Sequence, residues 1–256
     1  MNFHIEILGS GTSMGVPMAG CTCETCTSDD PRDKRLRTSA LVTAGDKQVL
    51  IDTSIDYRQQ MLRAGVRHLD AVVYTHHHVD HILGMDDLRS FMLLNKTDMP
   101  LYAMEETAEN IKRVFSYAFQ TTNYGSLPRL QMNIIDETPF EAAGVPFTPI
   151  PLFHGKMPVM GYRIGNFAYC TDVSFIPEPS FDLLKGLDVL ILDALRYRAH
   201  PTHFNIEQAT EAAERIGAKE TYFTHISHDI KHSVAEKELP ESIFLAYDGL
   251  KFEFSR

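Results

Sequence analysis

An α/β fold whose strand ends carry the chemistry is predicted by three features of the chain. Apolar runs of strand length stop repeatedly at an acid or a histidine: 48–51 at Asp52, 71–74 just before His76, 147–152 shortly before His154, 167–171 at Asp172, 189–192 at Asp193 and 222–224 at His225. Segments with helical spacing of apolar residues, 57–64, 105–119 and 206–216, lie between them. The third feature is the stretch His76-His77-His78-Val79-Asp80-His81, led in by the apolar Ala71-Val72-Val73-Tyr74. A buried strand delivering polar residues to its end is the usual anatomy of a site in this fold class. Alternate residues of an extended segment share a side, so His76 and His78 can converge on one metal ion while His77 points elsewhere. Asp80 and His81 then offer a carboxylate and a nitrogen to a second ion, which makes a two-metal hydrolytic site.

The bulk properties narrow the function. At 256 residues the chain can bury a full-sized core, and with no repeat, linker-like tract or low-complexity segment a single domain over 1–256 is expected. A formal net charge of -10 argues against long nucleic acid as a partner, since non-specific affinity depends on neutralising phosphates with Lys and Arg. No run approaches the roughly 18 apolar residues of a spanning helix, and the start does not read as a signal peptide. No membrane association and a cytoplasmic location are expected. Three of the four cysteines fall within six residues, too tight for a disulfide framework and suited to a metal clip.

Taken in order, 3–8 alternates apolar and polar residues as a half-buried strand does, and Gly9-Ser10-Gly11-Thr12-Ser13 ends it. Those glycines fit neither a P-loop nor a dinucleotide fingerprint, so they predict a tight loop that another backbone approaches closely. Cys21, Cys23 and Cys26 can wrap one tetrahedral zinc that needs a fourth ligand. Residues 29–37 read as a charged, solvated connector. Strands 39–44 and 48–51 form a hairpin about Gly45-Asp46 and lead to Asp52, which could cap helix 57–64 or orient a metal-ligating histidine through its second ring nitrogen. Residues 85–131 read as mostly helical, at 87–94 and at 105–119 with a core stripe of Ala108, Ile111, Val114, Phe115 and Ala118, and 121–126 as a loop over the site. Further strands are expected at 133–135 and at 160–164, the latter pairing with 167–171 about Gly165-Asn166. Asp172 and Asp193 each could bridge metal ions or cap a helix. His200 and His203 precede helix 206–216, and His225 and His228, three residues apart, can serve two different metals, His228 suiting the cysteines. Cys170 is either core or an alternative fourth thiolate. Strands at 245–247 and 250–254 finish the chain, and His4, His68, His77 and His232 read as surface or packing residues.

Assembled in order, Asp52, His76-x-His78-x-Asp80-His81, His154, Asp172 and His225 resemble the five motifs of the metallo-β-lactamase superfamily over most of the chain. The resemblance implies a four-layer αββα sandwich with the metals at the edge between two sheets. By position it assigns His76, His78 and His154 to a first ion, Asp80, His81 and His225 to a second, and Asp172 to the bridge. The complete set, unlike that of true β-lactamases, is similar to the phosphodiesterase branch. Cys21-x-Cys23-x-x-Cys26, preceded by Gly9-Ser10-Gly11-Thr12-Ser13-x-Gly15-Val16-Pro17, resembles the PhnP-type phosphodiesterases, which hydrolyse small cyclic phosphodiesters and carry an added structural zinc; His228 is the expected fourth ligand here. His203-x-x-x-x-Gln208-Ala209 resembles the tRNA 3′-processing nucleases, which places a catalytic histidine at His203.

The expected activity is hydrolysis of a small phosphodiester through a hydroxide shared by two divalent ions (zinc, manganese or iron), with Asp80 orienting it and His203 as general acid. His200 competes for the acid role. A thioester or lactone hydrolase and a tRNA-processing nuclease are the alternatives, and a homodimer is what the resemblance implies.

Overall fold

The computed structural model describes residues 2–119 and 129–255. Its strands begin with β1 (Asn2–Gly9), β2 (Ser39–Ala44), β3 (Lys47–Ile51), β4 (Ala71–Val73), β5 (Met99–Ala103) and β6 (Leu130–Ile134). They continue with β7 (Phe140–Ala142), β8 (Val145–His154), β9 (Met157–Ile164), β10 (Phe167–Cys170), β11 (Val189–Asp193), β12 (Glu220–Thr224), β13 (Ile243–Leu245) and β14 (Lys251–Ser255). Two seven-stranded sheets result, ordered β14-β1-β2-β3-β4-β5-β6 and β13-β12-β11-β10-β9-β8-β7.

Side-chain alternation stacks them. Ile5, Ile7, Val42, Val49 and Ile51 of the first sheet meet Phe147, Tyr162, Phe167, Tyr169 and Ile191 of the second in one buried core. The intervening residues Leu41, Leu50 and Val72 point the other way, against α1 (Tyr57–Ala64), α3 (Arg89–Asn95) and α4 (Glu105–Val114). Leu190, Leu192 and Cys170 likewise face α5 (Glu178–Leu183), α6 (Ile206–Ile216) and α7 (His232–Glu238). Strands apolar on both faces must be covered twice, and the αββα sandwich follows. The remaining short helix, α2 (Val79–Ile82), lies in the histidine stretch.

Strand direction gathers the polar strand ends. β3 and β4 run parallel, as do β10, β11 and β12, and β8 is antiparallel to β9, which is antiparallel to β10. Asp52, His76, His154, Asp172, Asp193 and His225 therefore emerge on one rim. The glycine-rich loop stitches the sheets there, because Gly11 bridges both Arg37 and Ile226. A methyl group on Gly9 would lie 1.9 Å from the Arg37 carbonyl, and one on Gly11 2.8 Å from that of Arg35, so the close backbone approach excludes side chains.

Three expectations need correction. The described part of 85–131 is helical for the most part but not in two plain helices: a 3-10 helix at Leu83–Leu88 precedes α3, the strand β5 intervenes, and α4 stops at Val114 before a second 3-10 helix, Ser116–Phe119. Ala108, Ile111 and Phe115 are buried as the stripe required, but Val114 is 48% exposed because the helix ends beneath it. The short elements β7, α5 and α7 carry too little periodicity to be read from sequence, and the proposed loop at 121–126 lies outside the described residues. Residues 29–37 are not a solvated connector: Asp33 and Arg35 form a fully buried ion pair at 2.8 Å. His232 is buried with them, while His4 and His68 stay at the surface. Among the described residues no helix is long and apolar enough to cross a membrane.

The tight Gly9 contact sets a stability test. Gly9→Ala should lower the unfolding free energy by about 3 kcal/mol, the upper range for overpacking, read as a fall in urea midpoint at constant slope. An unchanged midpoint would show that the strand end yields freely.

Candidate metal centre

Asp52 organises the histidine stretch. It sits just past β3 with φ 63° and no exposure, and its carboxylate accepts from the Thr75 amide (2.8 Å) and the Thr75 hydroxyl (2.7 Å). The same carboxylate accepts from His81 Nδ1 at 2.8 Å. It does not cap α1, whose N-cap residue is Asp56, so the orienting role is the one the geometry supports. His78 is the N-cap residue of α2, and this single turn brings Asp80 and His81 into the cluster, the His81 ring 4.2 Å from that of His76. Asp172 and His225 share the left-handed backbone of Asp52, with φ 58° and 59°, each at the point where a strand leaves its sheet.

Besides His154 with Asp172 and His203, and Asp193 with His203 and His225, two triads of potential ligands fall within the seven expected residues: His76 with His78 and Asp172, and Asp80 with His81 and His225. Asp172 reaches both: its oxygens lie 3.9 Å from His76 Nε2, 3.2 Å from His81 Nε2 and 3.4 Å from His225 Nε2. Asp80 lies 3.5 Å from His81 Nε2 and 3.6 Å from His225 Nε2. The His154 ring stands 4.9 Å from that of His78 and 5.8 Å from that of His76. All seven candidates thus meet in one cluster, six of them buried and His78 at its accessible side.

The cluster fits metal ions by its own chemistry. Nε2 of His76, His81 and His225 is buried with no hydrogen-bond partner, which is costly for a polar atom unless a cation accepts the lone pair. The opposite nitrogens of two of these are engaged, His76 Nδ1 with the Thr75 hydroxyl (3.0 Å) and His81 Nδ1 with Asp52, while His225 Nδ1 has no hydrogen-bond partner; His154 Nδ1–H donates to the Thr202 carbonyl at 2.6 Å. Such contacts fix ring orientation and tautomer around metals. Burial drives the pKa of His76 well below the ordinary value and that of His154 down to about 4, favouring the neutral, ligating form. Burial opposes charge on Asp172 too, but His225, His81 and His76 outweigh it and hold the carboxylate ionised.

Beside this cluster, His203 stacks on His225 with ring centres 4.6 Å apart and meets His154 edge-on at 4.4 Å. Its Nδ1 lies 3.2 Å from Asp193 Oδ1, and Asp193 also takes the Phe204 amide at 3.1 Å and approaches His225 Nδ1 at 3.7 Å. Burial disfavours the charged imidazolium, yet the Asp193 carboxylate carries the His203 pKa up to about 9. His200 has no such acid; its Nδ1 accepts from the Thr202 hydroxyl and amide. Neither His203 nor Asp193 caps α6, a task done by Asn205 in a capping box with Gln208. The strand-end position of Asp193 was a signal in the sequence; its service to two histidines at once was not.

Cys21, Cys23, Cys26 and His228 form a second potential metal cluster, with His228 Nδ1 3.3 Å from both Cys21 and Cys23 sulfurs. Backbone and His228 contacts draw the Cys23 pKa down to about 6, toward thiolate, whereas burial pushes Cys26 up to about 11. Cys170 takes no part: it is core, packed against Gly161.

Comparison with known proteins agrees with this geometry. Residues 47–226 match the model of the beta-lactamase superfamily domain. A crystal structure of a diphosphatase from the PhnP family superposes with a TM-score of 0.94 at 48% identity, covering 99% of this chain and 98% of that one. An octanoyltransferase of Porphyromonas gingivalis is 40% identical over 249 residues, 96% of this chain but 50% of that protein. A ribonuclease Z of Bradyrhizobium diazoefficiens is 39% identical over 69 residues, 26% of this chain and 23% of that one. The chain spans at most half the length of these two curated relatives.

Asp52 provides the test of the cluster. Asp52→Asn keeps the shape but weakens the anchor on His81, and should lower divalent-ion affinity about 10- to 100-fold in chelator competition, with little change in helical content by circular dichroism. Wild-type affinity would remove Asp52 from any role at the centre.

Proposed function

From the premise that this chain belongs to the beta-lactamase superfamily and, within it, to the PhnP family, we propose that it is a metal-dependent hydrolase of a small phosphodiester. The observation that carries the reading is Asp172, one carboxylate within 4 Å of histidines from both triads, among buried ring nitrogens that lack any other partner. His76, His78 and His154 would hold one divalent ion, Asp80, His81 and His225 the other, and Asp172 both. When bound, such ions lower the pKa of a shared water and polarise a phosphoryl oxygen.

The chain's own groups supply the rest. Asp80, 8% exposed, is held in carboxylate form by His81 and His225 against the cost of its burial, and so accepts a hydrogen bond from the attacking water and orients it. With its pKa raised to about 9, His203 carries two protons at neutral pH: Nδ1–H donates to Asp193, and the proton on Nε2 goes to the departing oxygen. His203 stands next to His154, so the leaving group is placed on that side of the cluster. Cys21, Cys23, Cys26 and His228 would hold a structural zinc.

A second reading keeps the same machinery and changes the leaving group. The 48%-identical relative is described as a diphosphatase, so the scissile bond would join two phosphoryl groups. Acyl chemistry is less well served, because the chain matches only half of the octanoyltransferase and its cysteines sit in the clip or the core. A net charge of -10 weighs against a whole tRNA as substrate.

Purified protein should contain about three metals per chain and hydrolyse bis(p-nitrophenyl) phosphate, losing activity to a chelator and regaining it with zinc or manganese. Acyl-thioester turnover without diesterase activity would overturn the reading. His203→Ala should lower kcat about 10²- to 10⁴-fold for a diester with an alkoxide leaving group and far less for p-nitrophenolate, which needs no proton. Equal losses would exclude His203 as the acid. Cys23→Ser should reduce metal content and activity together; unchanged activity at full metal content would separate the clip from catalysis.

A further inference from the structure

Arg35 lies outside the metal-binding clusters yet is bonded to the frame of both. Its side chain has no solvent exposure, and burying a guanidinium is costly unless its nitrogens find acceptors. Here Nη1 donates to the carbonyls of Ser227 (3.2 Å) and Ile230 (2.9 Å), Nη2 to Asp33 Oδ1 (2.8 Å) and Nε to the carbonyl of Arg32 (3.1 Å). Asp33 Oδ1 also accepts the His232 amide at 2.9 Å. The segment so gripped, 227–232, contains His228 and begins two residues after His225. At the same time the Arg35 backbone exchanges two hydrogen bonds with Val16, at 2.7 and 2.9 Å, on the chain that leads into Cys21.

We propose that Arg35 is a positioning residue: its side chain closes the 227–230 turn while its backbone fixes the entry to the cysteine loop, so that His228 meets the thiols and His225 meets Asp172 before any ion arrives. The turn's other holds are local: Asp229 N–H donates to the Ser227 hydroxyl at 3.2 Å, and the Ile230 side chain is buried in the core. Ile230 N–H donates to the Ser227 carbonyl at a long 3.3 Å, and Ser227 N–H reaches the Leu195 carbonyl at 2.9 Å. A lysine could not replace the fork, since one ammonium cannot span two carbonyls and a carboxylate in the same plane.

Amide hydrogen exchange on the chain stripped of metal by a chelator tests this without a variant. Ser227 and Ile230 amides should keep protection within about threefold of the metal-loaded protein, because Arg35 and not zinc shapes the turn. Loss of their protection on stripping, alone or together with β11, overturns the proposal. Arg35→Lys is the second arm. The folded variant should release zinc to a chelator roughly ten- to hundredfold faster and lose kcat on bis(p-nitrophenyl) phosphate with KM unchanged. Wild-type release and kcat in that variant also overturn the proposal. If the lysine variant does not fold, exchange on the wild-type chain decides. The zinc arm rests on the clip reading proposed above and the exchange arm does not: protein that holds no zinc there would sink that reading, and turn protection would still decide the role of Arg35.

Discussion

Asp172 is a carboxylate with 2% exposure at the junction of two sheets, and much of the rim is arranged around keeping it charged. An ionised acid in so dry a place is costly unless paired. Three imidazoles supply that pairing and are themselves left with bare nitrogens, so the balance closes fully only with cations between them. The sandwich makes this arrangement possible. A rim between two sheets brings strand ends from both sides to one place, whereas a single sheet would offer them in a row.

Outward from the cluster, most of the imidazoles are set by partners within the chain. Asp52 holds His81, Thr75 holds His76, the Thr202 carbonyl holds His154, and Asp193 stands between His203 and His225. These partners belong to different strands and loops, so the site is fixed by the fold as a whole and not by one motif. Asp193 has an added effect. It faces a candidate ligand and the candidate acid together, so one carboxylate positions both rings.

Much of this was legible in the sequence because strand-end acids and histidines are local patterns. Asp52, the 76–81 stretch, His154, Asp172 and His225 each follow an apolar run, and each lies at the rim. The sandwich was legible through resemblance, since periodicity alone could give only an α/β class. Asp33 and Arg35 were misread because a charged tripeptide beside a proline looks like solvated surface. Their burial depends on carbonyls nearly 200 residues away, at Ser227 and Ile230, and no local pattern records such partners. β5 was hidden by its length and by Pro100, which a strand tolerates here between β4 and β6.

Among the described residues, three of the five non-glycine positions with left-handed backbone are Asp52, Asp172 and His225. Ordinary side chains adopt that region at a cost of order 1 kcal/mol or more, and glycine does so freely. The chain thus carries its polar centre on joints where its composition works against its own conformation. Selection for thermal robustness alone would drift toward glycine at these joints, yielding a tougher sandwich with an emptied rim. Heat tolerance in relatives of this protein is therefore a poor proxy for retained chemistry, and the identity of the residue at each joint is the better guide.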